Sequence, residues 1–481
     1  MCAGMAVACG VDFTNVVTGD GCLYSWGAAE RRNELGKGGD YQQANPEIVF
    51  LVETDAASGA MYNAPVVMVS AGQLHSAAVT DDGAVWTWGT NSQGQLGQGT
   101  NTTHGLVPVR LGMTQHFAGS PAVMVACGAQ HTLVLTARGH IWSSGENRDG
   151  AMGQGTAVQG GNAFQRVEGA EAMVMVACGV SHSMAVGADG TAWTWGSGSH
   201  GRLGHGDVEN RFAPAPLPRG AFAGMAVVFV AAGGSHSVAV TVDDVLWAWG
   251  ANESGQLGLG DRIARLAPVQ LPASVFCRSP LLTVGCGTAH TLVVTRNGVV
   301  WSCGAGGNAL GIPFGYMYHG DHLTLRRLET SAFNHERVVS VAAGPNHSVA
   351  VTDSGSVYEW GSYYQAPWQP TRVPTFWLDE AACGRCRDTM PAEDVLALAM
   401  ATQLRLGTDS PATRLPQEVI QRVVGHTVAW PELARGVQMH QGLIRLMGGG
   451  LVSRWGASTP ARGRTRILEA IPPYPPEPPL L

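Results

Sequence analysis

Six histidines, His75, His131, His182, His236, His290 and His347, recur in the pattern Gly-x-x-His-[Ser/Thr]. Repeated imidazoles are candidate metal ligands or proton carriers. Their regular spacing argues against that chemistry. One histidine per structural unit leaves them too far apart to share an ion, and a ring nitrogen satisfying a buried backbone group is the simpler role. A second candidate is the glycine-rich run GTNSQGQLGQG at 89–99, since backbone amides of such loops can cradle phosphate. The segment GSGSHG at 196–201 even fits a dinucleotide fingerprint, but its aligned neighbours read GTNSQG and GANESG, and no strand–helix–strand unit follows. Both are read as turns. Cys383-Gly-Arg-Cys386 has the spacing of half a zinc site without a second pair nearby; only His426 and His440 could join it through the fold. A Walker loop, a nucleophile elbow and a paired-carboxylate constellation are all missing. The expectation is a protein without covalent chemistry of its own, without a cofactor and without a bound metal.

The elements that position these residues are repeats. Val-Trp-Thr-Trp-Gly at 85–89 is matched at 23–27, 192–196, 246–250 and 357–361, and in altered form as IWSSG at 141–145 and VWSCG at 300–304. Trp26, Trp88, Trp195, Trp249 and Trp360 occupy the last aromatic position of this element. The GQLG turn at 94–97 returns as GRLG at 201–204 and GQLG at 255–258. The glycines that lead the histidine element are Gly10, Gly72, Gly128, Gly179, Gly233, Gly287 and Gly344, and successive copies lie 51 to 62 residues apart. In the first copy Phe13 stands where the others carry histidine. Each unit reads as short strands. HSAAVT and AVWTW are joined through Asp82-Gly83, which predicts a type I′ hairpin, with Asp243-Asp244 as an exception that weakens the fifth turn. The paired tryptophans 86/88, 193/195 and 247/249 are expected to divide between the two strand faces, one of each pair packing between sheets. Four short strands need about 50 residues, the size of one propeller blade, so the fold class is all-β, a seven-bladed β-propeller over residues 1–380.

The G-x-x-H-[ST], W-x-W-G and G-Q-L-G elements, repeated seven times, resemble the regulator of chromosome condensation repeat family, over nearly four fifths of the chain. The resemblance implies a seven-bladed propeller. It also brings a possible activity, guanine-nucleotide exchange on a small GTPase, in which the propeller would stabilise the nucleotide-free partner.

Residues 312–337 interrupt the link between the sixth and seventh copies, and Tyr316, Tyr318, His319, Asp321 and His322 form a candidate partner-binding loop there, a solvated excursion being the plainer alternative. Residues 37–64 form a second excursion. Beyond residue 380 the composition shifts to a small helical region, 381–470, and a proline-rich tail, 471–481, expected to be disordered. LPQEVIQRVV at 415–424 resembles the opening of an F-box, through Leu415, Pro416, Glu418, Val419, Ile420 and Val423. That resemblance would imply contact with a cullin-ligase adaptor. Residues 1–380 hold 18 basic against 28 acidic residues, a net of −10, which argues against DNA binding through the propeller. The chain carries no apolar run of membrane-spanning length and no basic, apolar leader, so an intracellular monomer in cytoplasm or nucleus, with reduced thiols, is expected. The function these features support is a non-enzymatic propeller scaffold for protein–protein recognition, with a ligase-subunit role and nucleotide exchange as its two specific forms.

Overall fold

The computed structural model describes residues 4–373 except 20, 28–34, 37–49, 52–64, 113–115, 157–159, 306–307, 313–319 and 362–368. Seven four-stranded antiparallel sheets follow one another along the chain, each built from four consecutive strands. The second blade shows the plan: Val66–Ala71 innermost, then His75–Thr80, Val85–Thr90 and, outermost, His104–Leu111. The other blades occupy 4–51, 122–166, 173–216, 227–270, 281–327 and 338–372. The first blade packs against the seventh, so the ring closes without exchange of a strand. A buried cluster of Val16, Trp26, Val349, Val351 and Val357 fills that closing seam. Much of residues 312–337 belongs to the ordinary plan: His322–Arg327 is the sixth blade's outer strand, and Thr330–Phe333 is a 3-10 turn that buries Phe333.

The second strand of each blade is buried along its whole length, because neighbouring blades cover both of its faces. Every polar group in it therefore needs a partner. The histidines find theirs in the next blade. Nε2 of His75, His131, His182, His236, His290 and His347 meets the hydroxyl of Thr132, Ser183, Ser237, Thr291, Ser348 and Thr14 at 2.9–3.1 Å. The expected backbone partner is thus a side-chain hydroxyl instead. Five of those hydroxyls hand their only hydrogen to a carbonyl of the blade before: Thr132 to Gln95, Ser183 to Ala151, Ser237 to Arg202, Thr291 to Gln256 and Ser348 to Ala309. Nε2 of the matching histidine must then carry the proton and donate. In the first blade, where Phe13 cannot do this, Asn15 two residues on donates from Nδ2 to Ser76 Oγ at 2.9 Å, and the ring of joints is complete.

Two further expectations are corrected. The hairpin after the second strand is not type I′: Gly83 alone is left-handed (φ +79°), Gly83 N–H donates to the Thr80 carbonyl, and Thr80 N–H donates to the Ala84 carbonyl. That is a type I turn closed by a left-handed bulge residue, with Asp82 Oδ1 accepting from Thr80 Oγ1 and the Ala84 amide. Asp244 takes the glycine position at φ +64°, so the fifth turn is kept. The paired tryptophans do not divide between faces, because residues two apart on a strand point the same way. Phe222 meets the rings of both Trp247 and Trp249, at 5.6 and 6.0 Å.

Candidate functional site

A four-stranded meander reverses direction at every strand, so the loops joining strands one to two and three to four open at one end of the ring. The histidine elements begin at that end, around a cavity of about 80 Å³ on the ring axis. Its wall is made by the ends of the innermost strands, including Cys9, Cys127, Cys178 and Cys286. These thiols are not poised for chemistry. Burial pushes Cys127 up to about 12 and raises Cys9, Cys178 and Cys286 as well. Cys178 donates to the Ala126 carbonyl and Cys127 to that of Ser70. Among the described residues no cluster of three or more histidine, cysteine or acidic side chains could hold a metal.

In the second, third and fifth blades an asparagine clamps the loop between third and fourth strands. Asn91 Oδ1 accepts the Leu96 amide while Nδ2 donates to Thr102 O, and Asn147 and Asn252 repeat the clamp. Gly97 is left-handed (φ +63°) and packs so tightly that a Cβ there would overlap the ring of Phe164. GQLG is therefore a structural turn whose business is the next blade. The carbonyl of its second residue accepts the joint hydroxyl and also the indole Nε1 of Trp195, Trp249 and Trp360, through Ala151, Arg202 and Ala309. Where the repeat has lost that tryptophan, Ser144 and Cys303 reach the same kind of carbonyl, on Gln95 and Gln256.

Among the described residues, this end offers both apolar and charged side chains to solvent. Four of the five exposed large apolar side chains among the described residues lie in or beside these loops: Leu106, Val208, Ile263 and Leu266. Ile263 is 64% exposed. Only Met225 belongs to the other end. Ion pairs surround the apolar group. Arg211 holds Asp207 (2.8 Å), pulling its carboxyl down to about 2, Arg265 holds Asp261 (2.6 Å), Arg262 reaches Asp321 of the next blade (2.5 Å), and His200 Nδ1 lies 3.1 Å from Glu253.

Of the loop residues singled out from sequence, Asp321 takes part in that inter-blade pair and His322 is buried at the start of its strand, its imidazole lowered by burial. Tyr316, Tyr318 and His319 lie outside the described residues, as do Leu415, Pro416, Glu418, Val419, Ile420, Val423, Cys383 and Cys386. Sequence reasoning missed Val208, Ile263, Leu266 and Arg202. For three of them the signal was present as single departures inside repeats, the apolar Val208 and Ile263 in polar loops and one arginine in a GQLG turn, whereas Leu266 repeats the apolar position of Leu106, Phe212 and Leu323 at the start of the outer strand.

A family model described as the RCC1-like domain matches residues 61–367. The ultraviolet-B receptor UVR8 of Arabidopsis thaliana is 35% identical over 316 residues, which are 64% of this chain and 67% of the receptor. The human E3 ubiquitin-protein ligase HERC2 is 31% identical over 356 residues, 73% of this chain but only 7% of that ligase. Among solved structures, human WBSCR16 aligns with a TM-score of 0.62 at 23% identity, covering 73% of this chain and 87% of that one. Prp20p from Saccharomyces cerevisiae aligns with a TM-score of 0.61 at 23% identity, covering 76% and 86%. The likeness to these two structures is one of fold. Among the described residues no helix is long and apolar enough to cross a membrane.

Proposed function

Because this chain belongs to the RCC1-like domain family, we propose that it is a non-enzymatic propeller platform that docks protein partners on the end of the ring carrying the third-to-fourth-strand loops. The observation that carries this reading is the placement of Leu106, Val208, Ile263 and Leu266, four of the five exposed large apolar side chains among the described residues, at one end of the ring. The segment with Tyr316, Tyr318 and His319 connects Gly304 to His322, whose strand ends open on this same end, so partner contact through it belongs to the same reading. Presentation of a docked substrate to a cullin-type ubiquitin ligase, through an F-box-like segment at 415–424, is the specific role we favour. Support for it is indirect: the relative HERC2 is named as a ubiquitin ligase, and the match to it falls in the propeller repeats.

Affinity capture with the full chain, compared with a Val208→Asp/Ile263→Asp/Leu266→Asp variant and with Met225→Asp at the opposite end, tests the platform. The triple variant is expected to lose the captured proteins and Met225→Asp to keep them. The same captured set on all three forms would overturn the assignment of the face. A cullin adaptor that depends on residues 415–424 would support the ligase role, and a small GTPase enriched by EDTA would favour nucleotide exchange over it.

A further inference from the structure

Arg202 departs from its repeat with a charged side chain that the shared joint between blades does not use. It occupies the second position of the fourth blade's GRLG turn, where the other described blades carry Gln95, Ala151, Gln256 and Ala309. The joint at this position is made by the backbone carbonyl, which in Arg202 accepts Ser237 Oγ at 2.8 Å and Trp249 Nε1 at 2.9 Å. Ala151 makes the same two bonds with only a methyl side chain, so the guanidinium is not needed for the fold. The glutamines close on their own loops, Gln95 Oε1 accepting the Gln93 amide and Gln256 Oε1 the Ser254 amide, and leave no charge behind.

The arginine does leave one. Arg202 is only 7% exposed, and its Nε donates to Ser199 O and its Nη1 to Gly234 O, at the rim of the axial cavity. Both partners are neutral carbonyls. Among the described residues no carboxylate reaches ion-pair distance of it; the opposite charge it feels is Asp149, exposed on the third blade and bonded to Asn210. Nη2 has no partner among the described residues and is not one of the sealed, unpaired atoms. A guanidinium taken out of water without a counter-charge is unfavourable, and burial holds its pKa below the usual value. A partner that brings the missing charge would relieve this.

We propose that Arg202 is the charge-reading residue of the docking face and takes the carboxylate of an Asp or Glu in a protein partner, flanked there by bulky aliphatic side chains. The proposal rests on the platform reading above. The flanking chemistry follows from the neighbours: Leu266 lies against Gly201, the residue before Arg202, and Ile263 and Val208 are exposed on the adjoining loops. A single charge follows from counting. Among the described residues beside Leu266 and Ile263, Arg211, Arg265 and Arg262 are already committed to Asp207, Asp261 and Asp321, so Arg202 offers one open guanidinium edge there, a match for a single carboxylate.

Panning a phage-displayed library of random 12-residue peptides on the full chain tests this. Enriched peptides should carry Asp or Glu beside Leu, Ile, Val, Met or Phe. Arg202→Gln, the residue of two sister turns, should weaken them at least tenfold, and changing the peptide's acid to its amide should weaken wild-type binding equally while leaving R202Q unaffected. Arg202→Ala should behave as R202Q does, and both variants should melt no lower than wild type. No enrichment, enrichment of acid-free peptides, unchanged binding to R202Q, or a lowered melting temperature in both variants would overturn the proposal. Peptides lost on Ile263→Asp but kept on R202Q would leave the platform standing and remove Arg202 from it; peptides indifferent to both would remove the face as well.

Discussion

Lowering the pH from 7 to 5.5 should remove several kcal/mol from the native ring, and single histidines should account for the loss. Burial pushes His75 and His290 down to about 3, and His131 and His236 down to about 4. An unfolded histidine titrates near ~6.5. Above that pH both states are neutral and the stability is complete. Below it the unfolded chain takes up protons that the native joints do not accept, so stability falls with falling pH, and the fall ends only at the native values of about 4 to 3. Between pH 7 and 5.5 each of these histidines withdraws about 1.2 kcal/mol, and the four together about 5 kcal/mol. Carboxylates add little in this window, because an unfolded aspartate titrates near ~3.9. A loss of that size is comparable with the whole stability of a marginal domain, roughly 5–15 kcal/mol. Urea unfolding followed by tryptophan fluorescence at the two pH values measures it, for wild type and for His236→Gln. The variant lacks one titrating joint, so its loss on acidification should be smaller by about 1.2 kcal/mol. A wild-type stability that is flat between pH 7 and 5.5, or an unchanged pH slope in the variant, would refute the assignment of neutral, Nε2-protonated histidines to the joints.

Thr132→Val leaves His75 Nε2 and the Gln95 carbonyl without their shared hydroxyl and should cost about 2–3 kcal/mol in urea unfolding, whereas Thr132→Ser should stay within about 1 kcal/mol of wild type. Phe222→Ala opens a cavity between Trp247 and Trp249 and should cost about 3–5 kcal/mol by the same measurement. Arg278 is exposed and left-handed (φ +61°) where two of the matching turns carry Gly119 and Gly224, so Arg278→Gly should stabilise by about 0.5–1 kcal/mol, read as a rise in melting temperature.

The propeller was legible because each blade repeats the same demands. A histidine, a glycine-rich turn and a Trp-Gly pair recur in most copies, each copy keeps at least one of them, and counting copies counts blades. Details that depend on the neighbouring blade were not legible. The histidine's partner is a hydroxyl some 50 to 60 residues away, so nothing local reveals it. The turn at Asp82-Gly83 looked like a two-residue hairpin because Asp-Gly suits both turn types; the hydrogen bond from Thr80 N–H to the Ala84 carbonyl makes it a three-residue one. The sixth blade's outer strand, HLTLRR, was hidden in what looked like an excursion, since half of it faces solvent and its GQLG signature is weak. The docking face was the least legible part. Exposure of Ile263 or Leu266 is a property of the assembled ring, and an apolar residue in a loop reads the same whether it is covered or bare.

Comparing the seven copies with one another separates structural from unspent departures. Phe13 removes a joint histidine, and Asn15 restores the bond to the next blade. Ser144 and Cys303 replace tryptophans, and each reaches the carbonyl class that the indoles use. Gly198 replaces the clamp asparagine, and its amide donates to Asn210 Oδ1 instead. Ser354 stands where the second blade carries Asp82, and Glu336 supplies the carboxylate, accepting from Thr352, Ser354 and Ser356. Asp244 takes over a glycine's left-handed position. In each case the ring regains a contact or conformation that the departure would remove. Arg202 follows another logic, because its backbone already performs the shared role and its side chain brings a buried charge with only carbonyls to meet it. A repeat that compensates each of these departures leaves this one open toward the face where apolar side chains are also bare. The physical expectation is that its balance is completed from outside the chain.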